Sequence, residues 1–224
     1  MGSNFNLIDS TNKEFQSALN LVEDTDEFIY LTGKAGTGKT TFLHHIKKFT
    51  RKNIVVLAPT GVAAYNCGGV TIDSFFQLPP EPILSHDYKI TEPSWKDRLN
   101  SIKEIIFKYK ASKRNLINNL ELLIIDEVSM VRANTLDAID TILRAVRNNP
   151  NVVFGGVQVL LIGDPFQLIP VTKNDDWDHF REYYDSAYFF SSRVMMQNPY
   201  IQVKLNKIYP QKDEKFINLL HRLR

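Results

Sequence analysis

Apolar residues along this chain fall into two kinds of run. Phe28–Leu31, Ile54–Leu57, Leu122–Ile125 and Val157–Ile162 are short, nearly unbroken apolar blocks, the pattern of strands buried on both faces. Ile201, Val203 and Leu205 alternate with polar residues and predict a further strand. Between the blocks, apolar residues return every three or four positions, as on one face of a helix. That period predicts a helix over 11–23 with Phe15, Ala18, Leu19 and Val22 inward, opened by a capping box at Thr11-Asn12-Lys13-Glu14. It predicts others through Phe42, Leu43, Ile46 and Phe49, over Asn134–Val146 with Leu136, Ile139, Leu143 and Val146 inward, and over Asp213–Arg224. Strands alternating with helices make the fold class α/β, a mostly parallel sheet flanked by helices.

The intervals are informative too. Gly61 to Gly69 is rich in small residues and predicts a loop and short helix. Four prolines between Pro79 and Pro93 predict an irregular connection. The stretch Lys96–Asn119 is helical and basic, either a solvated face or a small subdomain touching a polyanion. In the second case residues 79–119 are an insert in a main domain made of 1–78 and 120–224. Asp175–Asp185 reads as a surface excursion.

Composition narrows the classes. The chain has 224 residues, 43% of them hydrophobic, and a net charge of +2, so charge alone neither requires nor excludes a nucleic acid. No apolar run approaches the ~18 residues of a membrane span, and the polar start is not a secretory leader. No membrane partner is expected. Cys67 is the only cysteine, so no intrachain disulfide forms and a reducing compartment, cytoplasmic or nuclear, is expected.

The candidate chemistry begins where the first strand ends. Gly33-Lys34-Ala35-Gly36-Thr37-Gly38-Lys39-Thr40, followed by Thr41, fits the P-loop pattern G-x-x-x-x-G-K-[ST] between strand and helix. Its glycines let backbone N–H groups turn inward, and the helix N-terminus adds positive potential, so it binds nucleotide phosphate. Lys39 reaches the outer phosphates and the Thr40 hydroxyl ligates Mg²⁺. ATP and Mg²⁺ are the expected cofactors.

LLIIDE then reads as a Walker B segment, with Asp126 on Mg²⁺ and Glu127 polarising the attacking water. A helix cap would explain Asp126 equally well on its own. In GDPFQ, Gln167 is placed to sense the γ-phosphate, or else serves as a turn residue. All three motifs follow apolar strands, where ligands of open α/β sheets sit.

The ordered set TGKAGTGKT, APTGVAA..CGGVTIDSFF, LLIIDEVSMVR, GDPFQLIPV and LNKIYPQKDEKF resembles the first RecA-like motor domain of the Pif-type helicases, the RecD/Pif branch of superfamily one. The resemblance runs from about Asn12 to Arg224. It implies an ATP-driven motor moving 5′ to 3′ on single-stranded DNA. It implies that Gln16 reads adenine, and that Thr60, Gly61, Thr71, Ser74 and Phe75 line the DNA track. It gives residues 79–119 the place of the family's inserted subdomain, and implies a second RecA-like domain beyond Arg224. It adds the bacterial nucleoid to the expected locations.

This chain departs from the family at three points. Asp73 stands where His is usual, and a carboxylate repels phosphates. GDPFQLIPV replaces GDxxQLPPV. Pro210 replaces the arginine of the fourth motif, leaving Gln211 without the charge that stabilises a transferring phosphoryl group, a role typically worth ~10³–10⁵ in rate. The expected function is an ATP-dependent DNA helicase motor domain, slow by itself. The alternatives are a DNA-binding module with little turnover and a small-molecule phosphotransferase.

Overall fold

Strands apolar on both faces need cover on both, and the helices supply it. The computed structural model describes residues 12–79, 99–170, 181 and 183–209. Six strands form one sheet: β1 (Ile29–Gly33), β2 (Ile54–Ala58), β3 (Val70–Thr71), β4 (Leu122–Ile125), β5 (Gln158–Ile162) and β6 (Ile201–Leu205). Their spatial order is β3-β2-β4-β5-β1-β6, and every neighbouring pair is parallel. Around them lie α1 (Lys13–Asp24), α2 (Lys39–Phe49), α3 (Gly61–Cys67), α4 (Ile72–Phe76), α5 (Leu99–Phe107), α6 (Ala111–Asn118), α7 (Ala133–Val146) and α8 (Arg193–Gln197).

The alternation of strand side chains sorts the core into two layers. Ile29, Leu31, Leu122, Ile124, Leu160 and Ile162 share one cluster with Phe15, Phe42 and Leu43 of α1 and α2. Tyr30, Leu123, Ile125, Val159 and Leu161 share the other with Leu136, Ile139 and Leu143 of α7. The second cluster also takes in Ile102, Ile105, Tyr109 and Ile117, so the described part of the 79–119 segment is built onto that face.

Several sequence expectations change in detail. The 96–119 stretch holds two helices, α5 and α6, because Tyr109 turns inward between them and its hydroxyl donates to the Phe76 carbonyl at 2.6 Å. Arg114 then stitches the break, donating to the carbonyls of Ile106 and Tyr109. Phe49 is 57% exposed, not inward, because it ends α2, where its ring meets His45 at 4.6 Å. Asn12 caps α1, its Oδ1 accepting from the Phe15 N–H at 3.0 Å. Cys67 is a buried packing residue whose Sγ donates to the Ala64 carbonyl. Thr11, the 213–224 helix, and most of the 79–93 connection and the 175–185 excursion lie outside the described residues. None of the described helices is long and apolar enough to cross a membrane.

Candidate nucleotide and DNA site

In the sheet order, β5 lies between β4 and β1, so the loops after these three strands open side by side. The P-loop follows β1, Asp126-Glu127 follows β4, and Gly163-Asp164 follows β5. Motifs far apart in sequence therefore meet at one edge, the carboxyl end of a parallel sheet.

The P-loop is shaped by its glycines. A side chain at Gly33 would lie 2.5 Å from Thr37 Oγ1 and 2.8 Å from the Leu205 carbonyl. Gly36 and Gly38 have φ of 79° and 97°, the left-handed region that glycine adopts freely. Gly38 caps α2 without a side chain, so no local group takes the first-turn N–H donors, and an anion can. Thr37 is buried, with its hydroxyl donating to the Lys34 carbonyl at 2.8 Å. Lys39 arches back and donates to the carbonyls of Gly33 and Lys34, so its ammonium lies over the loop. Thr40 and Thr41 are exposed in the first turn of α2.

The acids form one electrostatic unit with Lys39. Burial pushes the Asp126 carboxyl up, opposed by the Glu127 backbone N–H, Lys39 and His44. Burial also pushes Glu127 up, reinforced by Asp126 and Asp164 and opposed by Lys39. Glu127 has φ of 51°, a left-handed conformation uncommon outside glycine and frequent where strain serves a site. Its backbone starts a tight 3-10 turn through Met130. Asp164 is buried, its Oδ1 accepting from the Phe166 N–H and its carbonyl from the Gln167 N–H, both at 3.1 Å.

Gln167 is exposed on this turn, and no described contact joins it to Lys39, Asp126 or Glu127. Phe166 beside it is 95% exposed. Gln16 is half-buried on α1, one turn after Asn12. Sequence reasoning missed Tyr209 as a member of the site. Its backbone N–H donates to the Gly36 carbonyl at 2.9 Å, and its hydroxyl accepts from Asn12 Nδ2 at 3.1 Å. Its ring edge would stand 3.6 Å from a Cβ at Gly38. The signal available in sequence was its place in LNKIYPQKDEKF, where the expected chemistry was read at Pro210 and Gln211 and not at the aromatic before them. Pro210 and Gln211 lie outside the described residues.

The expected DNA-facing residues cluster after β2 and β3. Thr60 and Thr71 cap α3 and α4, their hydroxyls accepting from the N–H groups of Ala63 and Ser74, each at 3.2 Å. Gly61 and Ser74 are exposed, and nothing lies within 4 Å of a Cβ built at Gly61. Phe75 differs from expectation. It is 7% exposed, packed edge-on against Phe76 and covered by Lys113 Nζ at 3.1 Å from the ring centre, so its ring offers no free face for a base.

A family profile described as PIF1-like helicase matches residues 7–224. The ATP-dependent DNA helicase PIF1 of Saccharomyces cerevisiae is 32% identical over 220 residues, covering 95% of this chain and 23% of its own length. Campylobacter jejuni Pif1 is 33% identical over 199 residues, covering 88% of this chain and 40% of its own. A solved Bacteroides Pif1 helicase, in complex with ADP-AlF3 and single-stranded DNA, superposes with a TM-score of 0.76 at 41% identity, over 94% of this chain and 45% of that one. The chain thus spans between 23% and 45% of the length of these relatives.

Proposed function

Because this chain belongs to the PIF1-like helicase family, we propose that it is the first RecA-like motor domain of a DNA helicase, binding ATP and single-stranded DNA. The observation that carries the reading is the convergence of Lys39, Asp126, Glu127 and Asp164 at the ends of three adjacent strands. The Bacteroides relative bound to ADP-AlF3 and single-stranded DNA supports it.

In this reading the P-loop N–H groups hold the phosphates, and Lys39 exchanges backbone carbonyls for their oxygens. Thr40 and Asp126 offer a hydroxyl and a carboxylate, hard oxygen donors suited to Mg²⁺. The described residues contain no cluster of three acidic, His or Cys ligands, and Thr40 and Asp126 are the side chains that would hold the ion. Bound there, Mg²⁺ adds positive charge beside the phosphate oxygens. Glu127, raised by burial and by two neighbouring acids, is the base that orients water. Gln167 senses the γ-phosphate from its exposed turn. Gln16 and the Tyr209 ring, bracketing Asn12, form the base end of the site. Thr60, Gly61, Thr71 and Ser74 line the DNA track, and residues 79–119 form the subdomain beside it.

Turnover coupled to 5′ to 3′ movement needs a second RecA-like domain, which accords with the greater length of the relatives. Pro210 supplies no charge to the transferring phosphoryl group, so hydrolysis is slow without another cation. The test is steady-state ATP hydrolysis with single-stranded DNA by a protein joining this chain to that second domain. Glu127→Gln should abolish DNA-stimulated turnover and leave nucleotide affinity intact. An unchanged rate would overturn the assignment of the base.

A further inference from the structure

Next to the expected DNA-facing residues lies a polar cleft of about 230 Å³, walled by Thr60, Asp73, Arg132 and Thr135. Arg132 is the residue that caps α7, and its backbone is tied to Tyr188 by an antiparallel bridge. Its half-buried guanidinium has no hydrogen bond or ion pair among the described residues. Asp73 lines the same cleft, exposed on one side, its carboxyl pushed up by partial burial and pulled back down by the Arg132 charge. An arginine with open donors in a polar cleft is suited to a phosphodiester, which its planar fork grips at two oxygens.

Resting on the reading above, we propose that Arg132 is a phosphate-contacting residue of the single-stranded DNA track, and that Asp73 across the cleft competes with DNA for it. The pairing accounts for a carboxylate in that position. Without DNA, Asp73 and Arg132 offset each other's charge. On binding, a backbone phosphate takes the guanidinium, and Asp73 remains as a nearby negative charge that weakens the contact. Arg132 thus raises affinity without reading bases, and Asp73 lowers it through Arg132.

The test is fluorescence anisotropy of labelled oligothymidylate and oligoadenylate over a salt series, using this chain with Arg132→Gln, Arg132→Lys, Asp73→Asn and the Arg132→Gln/Asp73→Asn pair. Arg132→Gln should weaken binding about fivefold on both oligonucleotides alike and lower the log–log salt slope by ~0.7. Arg132→Lys should keep the slope while losing part of the affinity. Asp73→Asn should tighten binding, and that gain should vanish when Arg132 is already Gln. Wild-type affinity and slope in Arg132→Gln, with wild-type binding intact, would overturn the proposal alone. A gain from Asp73→Asn that persists in the pair would overturn the competition, and if Arg132→Gln fails to fold, the absence of any gain in Asp73→Asn alone would overturn it instead. No salt-dependent binding by the unaltered chain would overturn the DNA reading and this proposal together.

Discussion

The backbone N–H of Tyr209 donates to the carbonyl of Gly36 at 2.9 Å, which fastens the segment after β6 onto the P-loop. The same residue's ring lies over Gly38, and its hydroxyl accepts from Asn12 at the head of α1. One aromatic thus joins the phosphate loop to the helix that carries Gln16.

Tyr209→Ala should weaken ATP affinity several-fold, because it removes the ring over Gly38 and the hydroxyl that accepts from Asn12, while the backbone bond to Gly36 remains. Tyr209→Phe should recover most of that affinity, losing one hydrogen bond worth ~1 kcal/mol. Calorimetric titration separates the two. Full wild-type affinity in Tyr209→Ala would leave the ring no part in nucleotide binding.

Arg147 should matter to stability rather than to ligand binding. From the end of α7, its Nη1 donates to the carbonyls of Ile117, Asn118 and Leu120 at 2.8 to 3.0 Å, and its Nε to Gly155 at 2.9 Å. Arg147→Ala leaves those carbonyls short of donors and should cost about 3 kcal/mol in urea unfolding, with ATP affinity unchanged in the folded protein. A loss below ~0.5 kcal/mol, the range of neutral surface changes, would contradict the clamp.

Asp126 and Glu127 should hold the fold back at neutral pH. Both carboxyls are raised, chiefly by burial, so the folded state keeps their protons to higher pH than the unfolded chain does. Stability therefore falls as pH rises from the ordinary carboxylate range through the raised values. Asp126→Asn and Glu127→Gln should each raise the thermal midpoint at pH 7 and flatten that fall. Midpoints below wild type for both would show that the charges stabilise the fold.

Lys113 predicts a second window, of opposite slope. Burial lowers its ammonium to about 8, against an ordinary 10.5. Between those values the unfolded chain holds a proton that the folded one has lost, so stability should rise with pH there. The Phe75 ring beneath it favours the charged form and partly offsets this. Lys113→Met should abolish the rise in urea midpoint. A rise surviving in that variant would assign it to another group.

The two-layer fold and the glycine loop between β1 and α2 were legible because each rests on a local signal. Apolar blocks such as Leu122–Ile125 mark strands covered on both faces, and Gly33 to Thr40 needs only its own spacing. What sequence left hidden depends on order in the sheet and on long-range packing. Asp164 comes beside Lys39 and Glu127 only because β5 lies between β4 and β1. Phe75 reads as an available aromatic until Lys113, from a helix far along the chain, covers its ring. Arg132 closes the LLIIDEVSMVR motif without declaring a role there, and its place beside Asp73 comes from a cleft made by separate elements. The 96–119 helix splits because Tyr109 finds the Phe76 carbonyl, a partner no period could reveal.

The central claim, that this sheet edge is a working Mg²⁺-dependent nucleotide site, is tested most directly by isothermal titration of ATP into this chain with and without Mg²⁺, beside Lys39→Ala. The account predicts Mg²⁺-dependent binding to the wild type, and affinity at least ~10-fold weaker in Lys39→Ala, a loss of about 1.4 kcal/mol. Equal affinity for the two proteins, or none for the wild type, would contradict it.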